Sequence, residues 1–245
     1  IVPTEVYSGL TNGKTTFNHE ELYGVLNSFM QTILTQVQKG QGIGTEWKKA
    51  FSSILDVYLG PDVTEFTYKG KKYTPQSYAA SLGFNMDNYV SVTSFSNDPF
   101  WASCELAIPD NWAWGDSYNV PLEDLVTVTE NALKNGYTVA WGADVSEKGF
   151  NFRQGIAIVP EDPATIQTKG RDNKNFNDAG AERVSNAFLE PVKELTITQE
   201  MRQKGYDEKM TTDDHGMHIV GMYKDQKGTR FFLVKNSWGT DNLPQ

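Results

Sequence analysis

Two short segments of this 245-residue chain carry residue types that can move a proton and hold its carrier in place. They are Asp214-His215-Gly216-Met217 and Lys235-Asn236-Ser237-Trp238-Gly239. An imidazole near its ordinary pKa takes up and returns a proton at neutral pH. It does so usefully only when one ring nitrogen faces the reacting group and the other is tethered. The carboxamide oxygen of an Asn accepts that second N–H, and unlike Asp it adds no charge. This suits a thiolate–imidazolium pair, in which the thiol is acidic enough without an extra anion. An indole beside the pair, here Trp238, would shield the Asn–His hydrogen bond from water and so strengthen it.

The elements that must bring these groups together can be read from the flanking residues. Met217–Tyr223 and Arg230–Val234 alternate as strands around the turn formers Lys224-Asp225-Gln226-Lys227-Gly228. With the turn centred near residue 226 or 227, antiparallel partners sum to about 453, which sets His215 opposite Trp238 and Asn236 opposite Met217. Directly opposed or diagonal side chains in such a pair are close enough to touch, so the imidazole and the carboxamide are expected to meet at the open end of one hairpin. His218, an odd number of residues further along, falls on the other strand face and reads as structural. His19 reads as a surface residue at a helix start. Neither forms a metal site with His215, because no carboxylate or thiol sits at ligand spacing.

The rest of the chain reads as helices first and a mostly antiparallel sheet later, an α+β pattern. Helical spacing predicts a helix over 19–39, built on Leu22, Val25, Leu26, Phe29, Ile33, Leu34 and Val37. A second is predicted over 45–59, with Thr45 as N-cap and Gly60-Pro61 as its stop. Phe66–Thr74 reads as a hairpin turning at Lys69-Gly70, and Thr74-Pro75 opens a short helix to about Leu82. Tyr89–Phe95 and Trp101–Ile108 read as strands, and Pro109–Tyr118 as a Trp-rich loop. Pro121 starts a helix to about Lys134, and Tyr137–Ala143 reads as another strand. Residues 161–195 are polar and poorly periodic and read as a long excursion or flexible loop, followed by a short helix over Thr198–Gly205.

Composition narrows the function. Lys and Arg number 22 against 31 Asp and Glu, a net charge of −9, with no basic stripe to attract phosphate backbones, so nucleic acid is not an expected partner. No apolar run approaches the ~20 residues of a membrane-spanning helix. The aromatic load, 13 Phe, 11 Tyr and 6 Trp, argues against disorder. Cys104 is the one cysteine, which excludes an internal disulfide and a Cys-rich metal site.

The sequence DHGMHIVGM followed by FLVKNSWG resembles the His and Asn segments of papain-like thiol peptidases. IVPTEVYSGL at the start and NGYTVAWGADVSEKGF in the middle resemble the bleomycin hydrolase/aminopeptidase C branch, notably its bacterial members. The resemblance implies that His215 is the catalytic base and acid and that Asn236 orients it. It implies a papain-like fold, a helical lobe plus an antiparallel β-barrel-like lobe, with residues 1–88 mainly helical and 89–245 mainly β within one integrated peptidase domain. It further implies thiol-dependent aminopeptidase activity on peptide substrates without a cofactor or metal, a homo-hexameric assembly, and a C-terminal arm that limits substrate length. Bacterial cytoplasm and periplasm both remain open.

One departure matters. The family nucleophile lies in a Gln…Gly-x-Cys-Trp segment opening a helix, and this chain has none. Cys104 sits in Trp-Ala-Ser-Cys-Glu-Leu-Ala-Ile, an alternating strand. No nucleophile is therefore assigned within the chain. The expectation is a fragment lacking the N-terminal segment that carries the thiol, with an incomplete first lobe and no hydrolysis on its own. The rival reading is an inactive relative that binds or scaffolds through the aromatic loop with Trp112, Trp114 and Tyr118. Asp144, at the end of Trp141-Gly142-Ala143, would either touch substrate or cap the following turn.

Overall fold

The computed structural model describes residues 1–7, 9, 18–83, 85–169 and 182–239, which fall into two compact units, Ile1–Tyr89 and Val90–Gln245.

In the first unit, α1 (Glu20–Gln38) and α2 (Glu46–Leu59) form a helical pair, followed by β1 (Phe66–Tyr68), β2 (Lys71–Tyr73) and α3 (Pro75–Ser81). Glu20 and Glu21 place negative charge in the first turn of α1, where the helix dipole favours it. Thr45 flanks α2 but makes no capping bond; its backbone is already helical, so its hydroxyl is not aimed at the first amides. Phe29 meets Phe51 with ring centroids 6.2 Å apart, and Tyr58 donates a 2.7 Å hydrogen bond to Glu21. The apolar stripe of α1 is only partly covered: Leu22 is buried, while Leu34 and Val37 stay exposed. Lys69 and Gly70 both have positive φ, the conformation a two-residue hairpin turn demands. Thr74 and Ser77 form a reciprocal capping box at the start of α3.

The second unit holds β3 (Val92–Thr93), β4 (Ala102–Glu105), β5 (Asp116–Asn119), α4 (Leu122–Lys134), β6 (Val139–Ala143), β7 (Phe150–Asn151), β8 (Ile156–Ala157), β9 (Gln167–Lys169), β10 (Glu182–Val184), α5 (Gln199–Asp207), β11 (His215–Lys224) and β12 (Arg230–Lys235). The result is an α+β architecture of small sheets, and among the described residues none closes into a barrel. Where the sequence suggested a loop up to Tyr118, β5 is the middle strand of a three-stranded sheet, parallel to β3 and antiparallel to β4. Its polar composition hides this. Asn119 is fully buried and bonds the backbone of Phe95, Asp98 and Pro99, so a side chain typical of loops satisfies the connection between β3 and β4 from within.

The stretch 161–195 is also more ordered than its composition suggests. β9 and β10 pair, a short 3-10 turn spans Asn186–Phe188, and Ala187 and Phe188 join Ile158 and Ile166 in a buried cluster. The middle of the expected excursion, 170–181, lies outside the described residues. A few well-placed apolar residues anchor this segment without any helical or strand period, which is why periodicity misses it. α5 staples the unit together. Thr198 caps it, Gln199 accepts from Ser94 and from the Leu122 amide that opens α4, and Arg202 donates to the Ser94 carbonyl at 2.7 Å.

The sheet that carries His215 runs β12-β11-β6, with β11 at its centre and α4 packed against β11 and β6. Arg230 of β12 pairs with Glu130 of α4. No helix among the described residues is long and apolar enough to cross a membrane.

Candidate active site

β11 and β12 pair with partners summing to 453 at the open end, His218 with Lys235 and Ile219 with Val234. A bulge between Ile219 and Gly221 then shifts the register by one towards the turn. The ladder to β12 stops at Lys235, and the next four residues leave the sheet. On its other edge β11 pairs with β6, so His215 lies opposite Ala143 rather than at the rim of an isolated hairpin. The central position fixes the backbone of His215 from the β6 side while Asn236 approaches from the β12 side.

The two side chains meet. His215 Nε2 lies 2.8 Å from Asn236 Oδ1. The same oxygen accepts the Ser237 amide N–H at 2.7 Å. A backbone amide can only donate, so the carboxamide must present its oxygen there, and the ring nitrogen sharing that oxygen must carry its proton. The neutral imidazole is therefore the Nε2–H tautomer, and its lone pair is on Nδ1. No hydrogen-bond partner for Nδ1 is found among the described residues. The Asn236 amide nitrogen is buried without a partner there.

Trp238 stacks obliquely on the imidazole, with centroids 4.6 Å apart and planes at 40°. Phe152 meets the indole edge-on at 4.8 Å and Phe150 at 6.1 Å. Ala143, Val145 and Met217 form a buried cluster that Phe150, Val234 and Trp238 pack against. Met217 and Ile219 share the inward face with His215, whereas His218 points the other way and bonds Thr138 at 2.7 Å.

The approach to β11 is held by carboxylates. Asp144 accepts from Ser146 N and Oγ and, through its second oxygen, from the Thr212 amide at 2.8 Å, so it caps the turn after β6 and pins the segment leading to the histidine. Asp214 accepts from the Val145 amide at 3.0 Å. Residue spacing alone assigns Asp214 no role; its signal in the sequence is its place next to the histidine. Burial pushes the Asp213 carboxyl above its ordinary value, and the nearby charges of Asp110 and Asp214 push it the same way.

Cys104 lies in β4, in a different sheet, and is buried. Burial pushes its thiol pKa up, with Asp98 and Asp116 adding to the effect, the opposite of what an attacking thiol needs. In the Trp-rich loop, Asn111 bonds Leu106 O, Gly115 O and Gly115 N and holds Trp112 and Trp114 out in solvent, 83% and 66% exposed. No group of three or more His, Cys, Asp or Glu among the described residues could hold a metal ion.

No protein-family model matches the sequence, and no curated protein matches it. The solved structures do show a likeness of fold. The crystal structure of PepW from Lactobacillus rhamnosis HN001 superposes with a TM-score of 0.60 over 98% of this chain, at 19% sequence identity. The chain spans 53% of the length of PepW, and at this identity the likeness establishes a shared fold.

Proposed function

We propose that this chain carries the histidine–asparagine half of a papain-like thiol peptidase site. With the thiol supplied, the completed site acts as an aminopeptidase of the bleomycin hydrolase/aminopeptidase C kind. The observation that carries the proposal is the 2.8 Å contact between His215 Nε2 and Asn236 Oδ1, which leaves Nδ1 to serve a reacting group. The nucleophilic thiol comes from outside these 245 residues, because Cys104 is buried in a separate sheet with its pKa raised. In this mechanism the thiolate attacks the carbonyl carbon of the substrate peptide bond. His215, protonated on both nitrogens and held by Asn236, gives the Nδ1 proton to the leaving amine. It then takes a proton from water as that water attacks the thioester and frees the thiol. Trp238 keeps water from the Asn–His bond while the proton moves.

The test uses the longer parent gene. The protein should hydrolyse fluorogenic amino-acid amides and be labelled by an epoxysuccinyl amide. His215→Ala should abolish turnover by on the order of 10³-fold or more. Unchanged turnover in that variant would remove the assignment.

A second reading rests on the exposed Trp112 and Trp114, held out by Asn111. On this reading the chain belongs to an inactive relative that binds partners through the aromatic loop. Ser, Gly or Ala at the nucleophile position of the parent gene, with no labelling, would favour it.

A further inference from the structure

Arg183 is 6% exposed, on β10, far in sequence from both chemical segments. Its guanidinium reaches across to the loop between β6 and β7 and donates to three carbonyls there. Nη2 bonds Ser146 O at 2.8 Å, Nη1 bonds Phe150 O, and both terminal nitrogens face Val145 O at 3.4 and 3.5 Å. The backbone of Arg183 is fixed in return: buried Asn151 donates to its carbonyl at 3.1 Å. A planar guanidinium with five donors is suited to gathering several carbonyls at once, and burying one is costly unless those donors are used.

The residues it gathers are the ones that touch the surroundings of His215 from two sides. Val145, whose carbonyl faces Arg183, gives its N–H to Asp214, the residue before the histidine. Phe150, whose carbonyl Arg183 also holds, packs against Trp238, which covers the imidazole. One buried cation therefore sets the loop that fixes both the backbone entry to His215 and its aromatic cover. We propose that Arg183 is a positioning residue for His215, acting through Val145–Asp214 and Phe150–Trp238. Its importance for activity rests on the function proposed above; its hold on the loop does not.

The experiment reads the imidazole directly, in the 245-residue chain, by long-range 1H–15N correlation spectra. The chain has three histidines, so the spectrum is simple to assign. In the wild type the His215 ring should be the Nε2–H tautomer, and Asn236→Ala should release it to a mixture. Arg183→Met should also give a mixture and speed hydrogen exchange at the Val145 amide by at least about tenfold. Arg183→Lys, which keeps a cation able to reach a carbonyl, should restore part of both signals, and Arg153→Met, at an exposed neighbour, should change neither. A folded Arg183→Met variant with an unchanged tautomer and unchanged Val145 exchange overturns the assignment. So does loss of cooperative melting in both Arg183 variants, which would make the residue a general requirement for folding. If instead the wild-type ring lacks the Nε2–H tautomer, or ignores Asn236→Ala, the catalytic reading fails. Val145 exchange would still report whether Arg183 holds the loop.

Discussion

The indole of Trp238 covers the imidazole of His215 at 4.6 Å and is itself wedged by Phe152 at 4.8 Å. The ring it covers bonds Asn236 at 2.8 Å, and water entering in place of the indole would compete for the Asn236 oxygen. Trp238→Ala should therefore speed solvent exchange of the His215 Nε2 proton. It should also lower stability by about 1–3 kcal/mol, less than a fully buried Trp would cost because Trp238 is half-buried. Trp238→Phe should retain most of both. NMR exchange and thermal melting measure the two effects, and a slow-exchanging ring proton in the alanine variant would show that the shield lies elsewhere.

Gly149 lies just before β7, beside Ile158 just after β8. Its carbonyl accepts the Ile158 amide at 3.0 Å, and a Cβ built on it would stand 1.7 Å from the Ile158 oxygen. That neighbour is backbone and cannot swing aside. Gly149→Ala should destabilise the protein by roughly 1–3 kcal/mol or more, a drop of about 2–4 °C in melting temperature per kcal/mol. Phe150, the next residue, should lose its contact with Trp238. A melting temperature equal to that of the wild type would contradict the close approach.

Asp213 ties stability to pH. Its folded-state pKa is raised, by burial first and then by the charges of Asp110 and Asp214, so the folded protein holds the proton more tightly than the unfolded chain. The stabilisation is complete below the ordinary aspartate range and is lost as pH rises through the raised value. Asp213→Asn mimics the protonated side chain at every pH. Its melting temperature should exceed that of the wild type at pH 7 by more than at pH 3. An equal difference at the two pH values would show that the carboxyl titrates normally.

Cys104 should behave as a packing residue. Its raised pKa lowers the thiolate fraction at neutral pH, and its burial restricts access. Iodoacetamide at pH 7 should modify it at least about tenfold more slowly than free cysteine, with the rate climbing at alkaline pH. Intact-mass spectrometry gives the rate. Rapid modification at pH 6 to 7 would return Cys104 to consideration as a nucleophile.

The sequence by itself determined what is local. Helical spacing and stop signals located α1, α2 and α4 within a residue or two, and Lys69-Gly70 marked a tight hairpin turn. Turn chemistry and alternation were enough to pair β11 with β12, with the correct sum at the open end. The bulge near Gly221 was not legible, because one extra residue in a strand leaves the alternation almost intact.

Tertiary structure alone decided what depends on partners far along the chain. β6 sits beside β11 and makes it a central strand, although some seventy residues separate the two. β5 became a strand because β3 and β4 flank it and its buried Asn119 ties down the connection between them, against its loop-like composition. The tautomer of His215 follows from the Ser237 amide sharing the Asn236 oxygen, which only coordinates reveal. Arg183, polar and in an aperiodic stretch, gave no sign that it would be buried against Val145, Ser146 and Phe150. Spacing and capping act over a few residues and leave a trace in composition. Burial and long-range hydrogen bonding are properties of the assembled fold and leave none.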